Sequence, residues 1–379
     1  MMARLEEICA INMGQSPDSS TYNEDGNGLP FFQGNADFGE IYPAVRMWCS
    51  EPTKIAREKD ILISVRAPIG ALNIANCECC IGRGLAALTV NEDICAQEYL
   101  WHALSGKVDE LNSKGTGSTF KAINKKTLSE TEIPLPPIDE QRKIAAILDK
   151  VSDLIAKRQQ QLDKLDEMIK ARFMEIFGDS ETNTKNWRVL PMSKICSVGS
   201  SKRIYQSEQS SSGVPFWRIS DLTSLITTGT VTPELYIHEE RYKELKTQGQ
   251  VPAPGDILIT SRGTLGQCYI VKVNDRFYFQ DGMISWLSGY MDGVTPLYIS
   301  YLFTMPGFRK QIDSMQAGST VAYLSITMIK KLKVMLPDIE SQQQFASFVS
   351  KTEKTKTTIS RSLEKLETLK KALMQEYFG

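Results

Sequence analysis

Cys77-Glu78-Cys79-Cys80 holds a C-x-x-C spacing, the first arrangement in this chain that could hold a metal. A structural zinc site needs a second ligand pair, and no second C-x-x-C or H-x-H occurs. The cluster reads instead as buried strand thiols, with Cys77 and Cys79 on one face and Cys80 on the other. Only two histidines exist, His102 and His238, and neither lies in an acid–base or triad motif. Gly115-Thr116-Gly117-Ser118 lacks the lysine with which a phosphate-binding loop reaches its nucleotide. Leu135-Pro136-Pro137-Ile138 lacks the polar residue that would hold a target amine for methyl transfer. No catalytic constellation emerges.

Polar loops that occur twice are more informative. Arg66 and Arg262 end equivalent apolar runs, and each precedes a glycine-containing turn, APIG or GTLG, the latter with Thr264. An arginine at a strand end beside backbone NH groups suits phosphate or base contact, or an ion pair within the domain. Arg83 sits in Gly82-Arg83-Gly84, where glycines allow close backbone approach to a partner or form a simple turn. Gly117-Ser118-Thr119 and Gly318-Ser319-Thr320 open equivalent segments whose hydroxyls suit helix capping or a phosphate. Lys114, Lys121, Lys125 and Lys126 surround the first, and Tyr323 follows the second. Gln33 and Arg218 occupy equivalent places, each with a polar residue two positions on, Asn35 and Ser220. Glutamine pairs two-point with adenine and arginine with guanine, so this position would read different bases in the two halves.

These loops belong to a long internal repeat. The stretch from Gly117 to Gln141 is echoed from Gly318 to Gln342, and an offset of 201 then persists to Phe177-Gly178 and Phe378-Gly379. Upstream, the run 60–66 parallels 256–262 at an offset of 196, and 28–32 parallels 213–217 at 185. Insertions therefore lie in the globular parts, while each half's tail keeps its length. After Pro136-Pro137, with Asp139 as the expected N-cap, apolar residues recur at spacings of four and three: Ile144, Leu148, Val151, Ile155, Leu162, Leu165 and Ile169. The second set is Phe345, Val349, Ile359, Leu363, Leu366 and Leu373, with Lys356 and Lys370 on the same seam. This is coiled-coil periodicity, and about 36 residues make a rod of roughly 54 Å. Two such helices most simply bury their stripes against each other. Antiparallel packing would relate the halves by a pseudo-two-fold axis. The expected fold is α+β, two mixed α/β domains separated by two long antiparallel coiled-coil helices. Its boundaries are 1–139, 140–178, 179–339 and 340–379. Strands are expected at 60–66, 71–80, 256–262 and 267–273, and short helices at 97–104 and 296–304.

The 379 residues carry a net charge of −1, with 41% hydrophobic and 23% charged residues. These values fit a globular protein of two or three domains. The chain has no apolar run of membrane-spanning length and no leader-like apolar core after Met1, so a cytoplasmic location with reduced thiols is expected. The near-neutral total hides a split: residues 1–139 carry −7 and residues 179–339 carry +3. Affinity for nucleic acid would therefore not come from an overall basic field.

The tandem halves, each closed by a GST…LPPIDEQ-like segment leading into a long helix, resemble the specificity subunit of type I restriction-modification systems. The resemblance covers the whole chain. The second junction departs from it, reading LPDIESQ from Leu336 to Gln342. The resemblance implies a prokaryotic, non-catalytic subunit whose two target recognition domains read the halves of a bipartite site in double-stranded DNA. It implies paired helices that fix the spacer and bind two methyltransferase (modification) subunits, with restriction subunits completing a phage-defence complex. S-adenosylmethionine, ATP and Mg2+ would sit on those partners and no cofactor on this chain. The alternatives are the specificity subunit of a methylation-only defence system, a coiled-coil adaptor that never touches DNA, or a nuclease or methyltransferase acting alone.

Overall fold

The computed structural model describes residues 1–117, 121–316 and 322–379. It divides into two compact units, residues 1–160 with 359–379, and residues 161–358. Their wiring is the same. In the first, a four-stranded antiparallel sheet runs in the order Cys9–Met13, Leu85–Val90, Ile61–Ser64, Leu72–Ile74. In the second, the order is Ser197–Gly199, Ile284–Ser288, Ile257–Thr260, Cys268–Ile270. Each unit adds a second sheet, of five strands in the first and four in the second, in which Leu29–Phe32 lies parallel to Cys79–Ile81, or Val214–Trp217 parallel to Tyr278–Phe279. The first unit alone carries an extra edge strand, Ile55–Ala56.

The central strands are buried on both faces, which is why they read as continuous apolar runs. Ile61 and Ile63 face a core shared with Tyr99, Leu100 and Leu104 of the helix Gln97–Ser105. Leu62 faces the opposite way, into a core with Phe32, Cys79 and Ile81. Ile257, Ile259 and Leu258 divide in the same manner.

Three expected elements differ. The stretch 71–80 forms two strands in different sheets, because Ala75 closes the first hairpin by exchanging backbone hydrogen bonds with Asp60 and Lys59. Cys77 falls in the turn between them, half-buried, while Cys79 and Cys80 are buried strand residues. The strand expected over 267–273 stops at Ile270, since Asp275 accepts from the Lys272 NH (2.7 Å) and turns the chain. Asp139 does not cap its helix. That helix is Ile138–Phe177, and the Pro137 carbonyl accepts from Glu140 and Gln141, so Asp139 lies in the first turn. Proline's fixed φ suits helix entry. In the second copy Asp338 performs the capping, accepting from the Ser341 NH at 2.7 Å ahead of the helix Ile339–Phe378.

Both long helices contribute to both units and pack antiparallel within each. In the second unit Phe173 and Phe177 meet Phe345, and Asp166 meets Lys356 at 2.7 Å, so contacts retreat along one helix as they advance along the other. In the first, Ile144, Ala145 and Leu148 share a core with Leu373, Met374, Tyr377 and Phe378. Ile144, Leu148, Val151, Ile169, Phe345 and Val349 are buried; Ile155, Leu162, Leu165, Ile359, Leu363, Leu366 and Leu373 are half-buried. Burial works to lower the Lys356 pKa, but Asp166 and Glu353 outweigh it and hold the ammonium above its ordinary value.

A glutamine fastens each helix to its domain. Gln141 is fully buried, accepts from the Ala96 NH (2.9 Å) and donates to the Ile94 and Pro136 carbonyls (3.1 and 2.8 Å). Gln342 does the same with Thr295, Gly293 and Pro337 (2.8, 2.8 and 3.0 Å). An aromatic pair holds the opposite helix end. Tyr99 packs on Phe378 and Tyr298 on Phe177, with centroids 5.2 and 4.9 Å apart.

Candidate nucleic-acid interface

In the first unit the parallel strands Leu29–Phe32 and Cys79–Ile81 end side by side, and backbone hydrogen bonds then order the predicted residues along one edge. Gly82 donates to the Phe32 carbonyl (2.8 Å), Gly84 to Gln33 (3.2 Å) and Val65 to Gly84 (2.9 Å). Ile123 donates to Val65 and Ala67 to Lys121, at 2.9 and 3.0 Å. Gln33, Arg83, Arg66 and Lys121 therefore leave neighbouring points of one continuous edge. Gln33 donates to the Ser16 hydroxyl (2.9 Å), and its NH is held by Asp37 (2.8 Å), which closes the short turn containing Asn35. Among the described residues Arg66, Arg83 and Lys121 make no ion pair, and all three are exposed. Lys114 pairs with Glu110 at 2.6 Å and draws that carboxyl below its usual pKa. The glycines flanking Arg83 serve an internal approach. A Cβ on Gly84 would stand 2.6 Å from the Gln33 carbonyl oxygen.

The second unit builds the same edge. Gln280 donates to Trp217 (2.9 Å), Ser261 to Met283 (2.9 Å) and Leu324 to Ser261 (3.0 Å). Arg218, Asp281, Arg262 and Tyr323 thus stand where Gln33, Arg83, Arg66 and Ala122 stand in the first unit. Asp281 replaces the cation, yet one arrives from elsewhere: Arg203 reaches Asp281 at 2.9 Å with its side chain 66% exposed. Sequence reading missed Arg203. Its signal was the basic pair Lys202-Arg203 following Ser201, the counterpart of Ser16. Arg218 donates to Glu234 (2.8 Å) and lies 3.6 Å from Asp221, and these carboxylates raise its pKa. Ser220 is exposed in the first turn of the helix Ile219–Thr228. Arg262 stacks over the Tyr323 ring, 5.3 Å from its centroid, and the exposed Thr264 follows in the turn. Ser118, Thr119, Ser319 and Thr320 lie outside the described residues.

The remaining reactive groups have structural surroundings. His102 is buried with Nε2 2.7 Å from Asp149, tying a short helix to a long one, and His238 is exposed just before another helix. Burial pushes the Cys9, Cys79, Cys95 and Cys196 thiols up to about 12, so they stay protonated at neutral pH. Among the described residues no group of three or more His, Cys, Asp or Glu could hold a metal, and no helix is long and apolar enough to cross a membrane.

Two domains with one wiring, each exposing arginines on the same edge and sharing a pair of long helices, define a duplicated recognition protein. The type I restriction modification DNA specificity domain matches residues 1–167 and 184–368, so the chain belongs to that family. It is 43% identical over 180 residues to a putative type I restriction enzyme MjaX specificity subunit of Methanocaldococcus jannaschii, covering 48% of this chain and 42% of that protein. It is 27% identical over 252 residues to a putative specificity subunit, S.HindORF215P, of Haemophilus influenzae, covering 65% and 62%. Each match thus spans less than two thirds of the relative's length. The crystal structure of the S subunit from M. genitalium shares the fold, with a TM-score of 0.61 at 14% identity over 100% of this chain and 96% of that one.

Proposed function

We propose that this chain is the DNA-reading subunit of a type I restriction-modification complex, with each domain recognising one half of a split target and the helix pair fixing the spacing. The observation that carries this reading is the repeated edge. Equivalent backbone positions present Gln33 or Arg218 and Arg66 or Arg262, and where the first domain has Arg83 the second has Asp281 with Arg203 reaching it from another segment. A common scaffold with different side chains suits the reading of two different half-sites. The predicted hydroxyl pairs Ser118-Thr119 and Ser319-Thr320 are further candidates for phosphate contact. The helix pair would also receive two methyltransferase subunits, and restriction subunits would join for cleavage. S-adenosylmethionine, ATP and Mg2+ belong on those partners, and this chain does no chemistry of its own.

The first domain's net charge of −7 argues against strong phosphate attraction by this chain alone. Binding by the isolated subunit is therefore weak, and the methyltransferase subunits supply the missing contacts and the avidity. Methylation sequencing of a host with and without the gene tests the reading. A split adenine motif should vanish on deletion. Persistence of every motif would refute it, as would methylation by the purified chain with S-adenosylmethionine alone. A complex that shifts DNA without sequence preference would favour a coiled-coil adaptor.

A further inference from the structure

Arg66 and Arg262 occupy the same place on the repeated edge, but their surroundings differ. Arg66 emerges opposite Ala122, to which it is joined by a backbone bridge. Arg262 lies over the Tyr323 ring, 5.3 Å from its centroid. That tyrosine is fixed in turn. Gln316 accepts from its NH and donates to its carbonyl, both at 2.9 Å. At the 201 offset the first unit has Ala122 in place of Tyr323 and Gly115 in place of Gln316, so at those positions it has neither the ring nor its clamp.

A guanidinium held over a ring keeps its donor plane while its five NH groups stay free. Among the described residues Arg262 pairs with no carboxylate, whereas Arg203 and Arg218 spend donors on Asp281 and Glu234. Reading guanine needs two coplanar donors aimed at O6 and N7. A phosphate can be met by the same fork or by a single point charge, so its contact does not depend on one fixed plane. Ordering the arginine before binding also removes part of the entropy cost of the contact.

We propose that Arg262 is a specificity-determining residue of the second domain, reading a guanine edge, that Tyr323 is its positioning residue, and that Arg66 contacts the DNA backbone alone. This rests on the DNA-reading function proposed above. The test uses the complex assembled with its methyltransferase subunits, with the methylated motif read by sequencing. Arg262→Lys keeps the charge and loses the fork, Tyr323→Ala removes the ring, and Tyr323→Phe keeps it. The first two should lower the preference for guanine at one position of one half-site by about tenfold or more. Tyr323→Phe should retain that preference, and Arg66→Lys should change no position. The untouched half of the motif reports that each variant is folded and assembled. Every position surviving Arg262→Lys and Tyr323→Ala overturns the assignment. So does equal loss of both halves, or relaxation of a base preference by Arg66→Lys. A wild-type complex with no split motif overturns the underlying function, and the assignment with it.

Discussion

Gly84 shows how one side-chain-free position shapes the recognition edge. Its missing Cβ lets the arginine loop close onto Gln33, so Gly84→Ala should destabilise the first unit by about 1–3 kcal/mol, seen as an earlier denaturant midpoint. The glycines around Arg83 were visible in the sequence, but their neighbour was not, because Gln33 is fifty residues away along the chain. Arg203 escaped for the same reason. Its role depends on Asp281, and no local pattern joins the two. Asp256 provides a pH test. Burial raises its pKa, although the Ala253 NH and the Trp286 indole NH both donate to it, at 2.8 Å each. An acid whose folded pKa is raised costs stability above that pKa, and the cost disappears as pH falls through it. Asn can accept both bonds without charge. Asp256→Asn should therefore be equal to or more stable than wild type near pH 7, and its advantage should shrink toward about pH 4. Thermal unfolding of both proteins across that range measures the difference.

At the scale of elements, the long helices were the most legible feature, because their stripe and their length recur at one fixed offset. Their anchoring was not. Gln141 and Gln342 read as ordinary polar residues near a helix start, yet each is buried and satisfies three backbone groups of its own domain. Gln141→Ala should strand those groups and cost about 1–3 kcal/mol, with Gln342→Ala similar in the second unit. Hydrogen exchange should localise the loss to the loops before Gln97–Ser105 and Pro296–Leu302. The short strands after the central pair were misjudged in length. Apolar character continued past the points where Ala75, bound to the backbone of Lys59 and Asp60, and Asp275, whose carboxylate accepts from the nearby Lys272 NH, turn the chain.

At the scale of the whole molecule, Arg66 and Arg83, which make no ion pair among the described residues, have a consequence for binding. Arg66→Gln and Arg83→Gln should each weaken DNA binding by the assembled complex across all sequences. Each should also reduce the salt slope by about 1, measured by titration at several salt concentrations. An unchanged slope would remove those side chains from the interface. The anchoring of the helix ends bears on chain order. Each domain grips the start of the helix that follows it and the end of the other one, through Tyr99–Phe378 and Tyr298–Phe177. Ala3 and Phe378 share one hydrophobic cluster, just as Leu190, the counterpart of Ala3, packs against the cluster that holds Phe177 in the second unit. The segment 178–187 leads from Phe177 into the strand Arg188–Pro191, which pairs with Lys333–Leu336 as Met2–Arg4 pairs with Glu132–Pro134. A permuted chain opened within 178–187 and closed by a linker of about that length should keep the wiring of both domains, with a circular dichroism spectrum and motif specificity like those of the original.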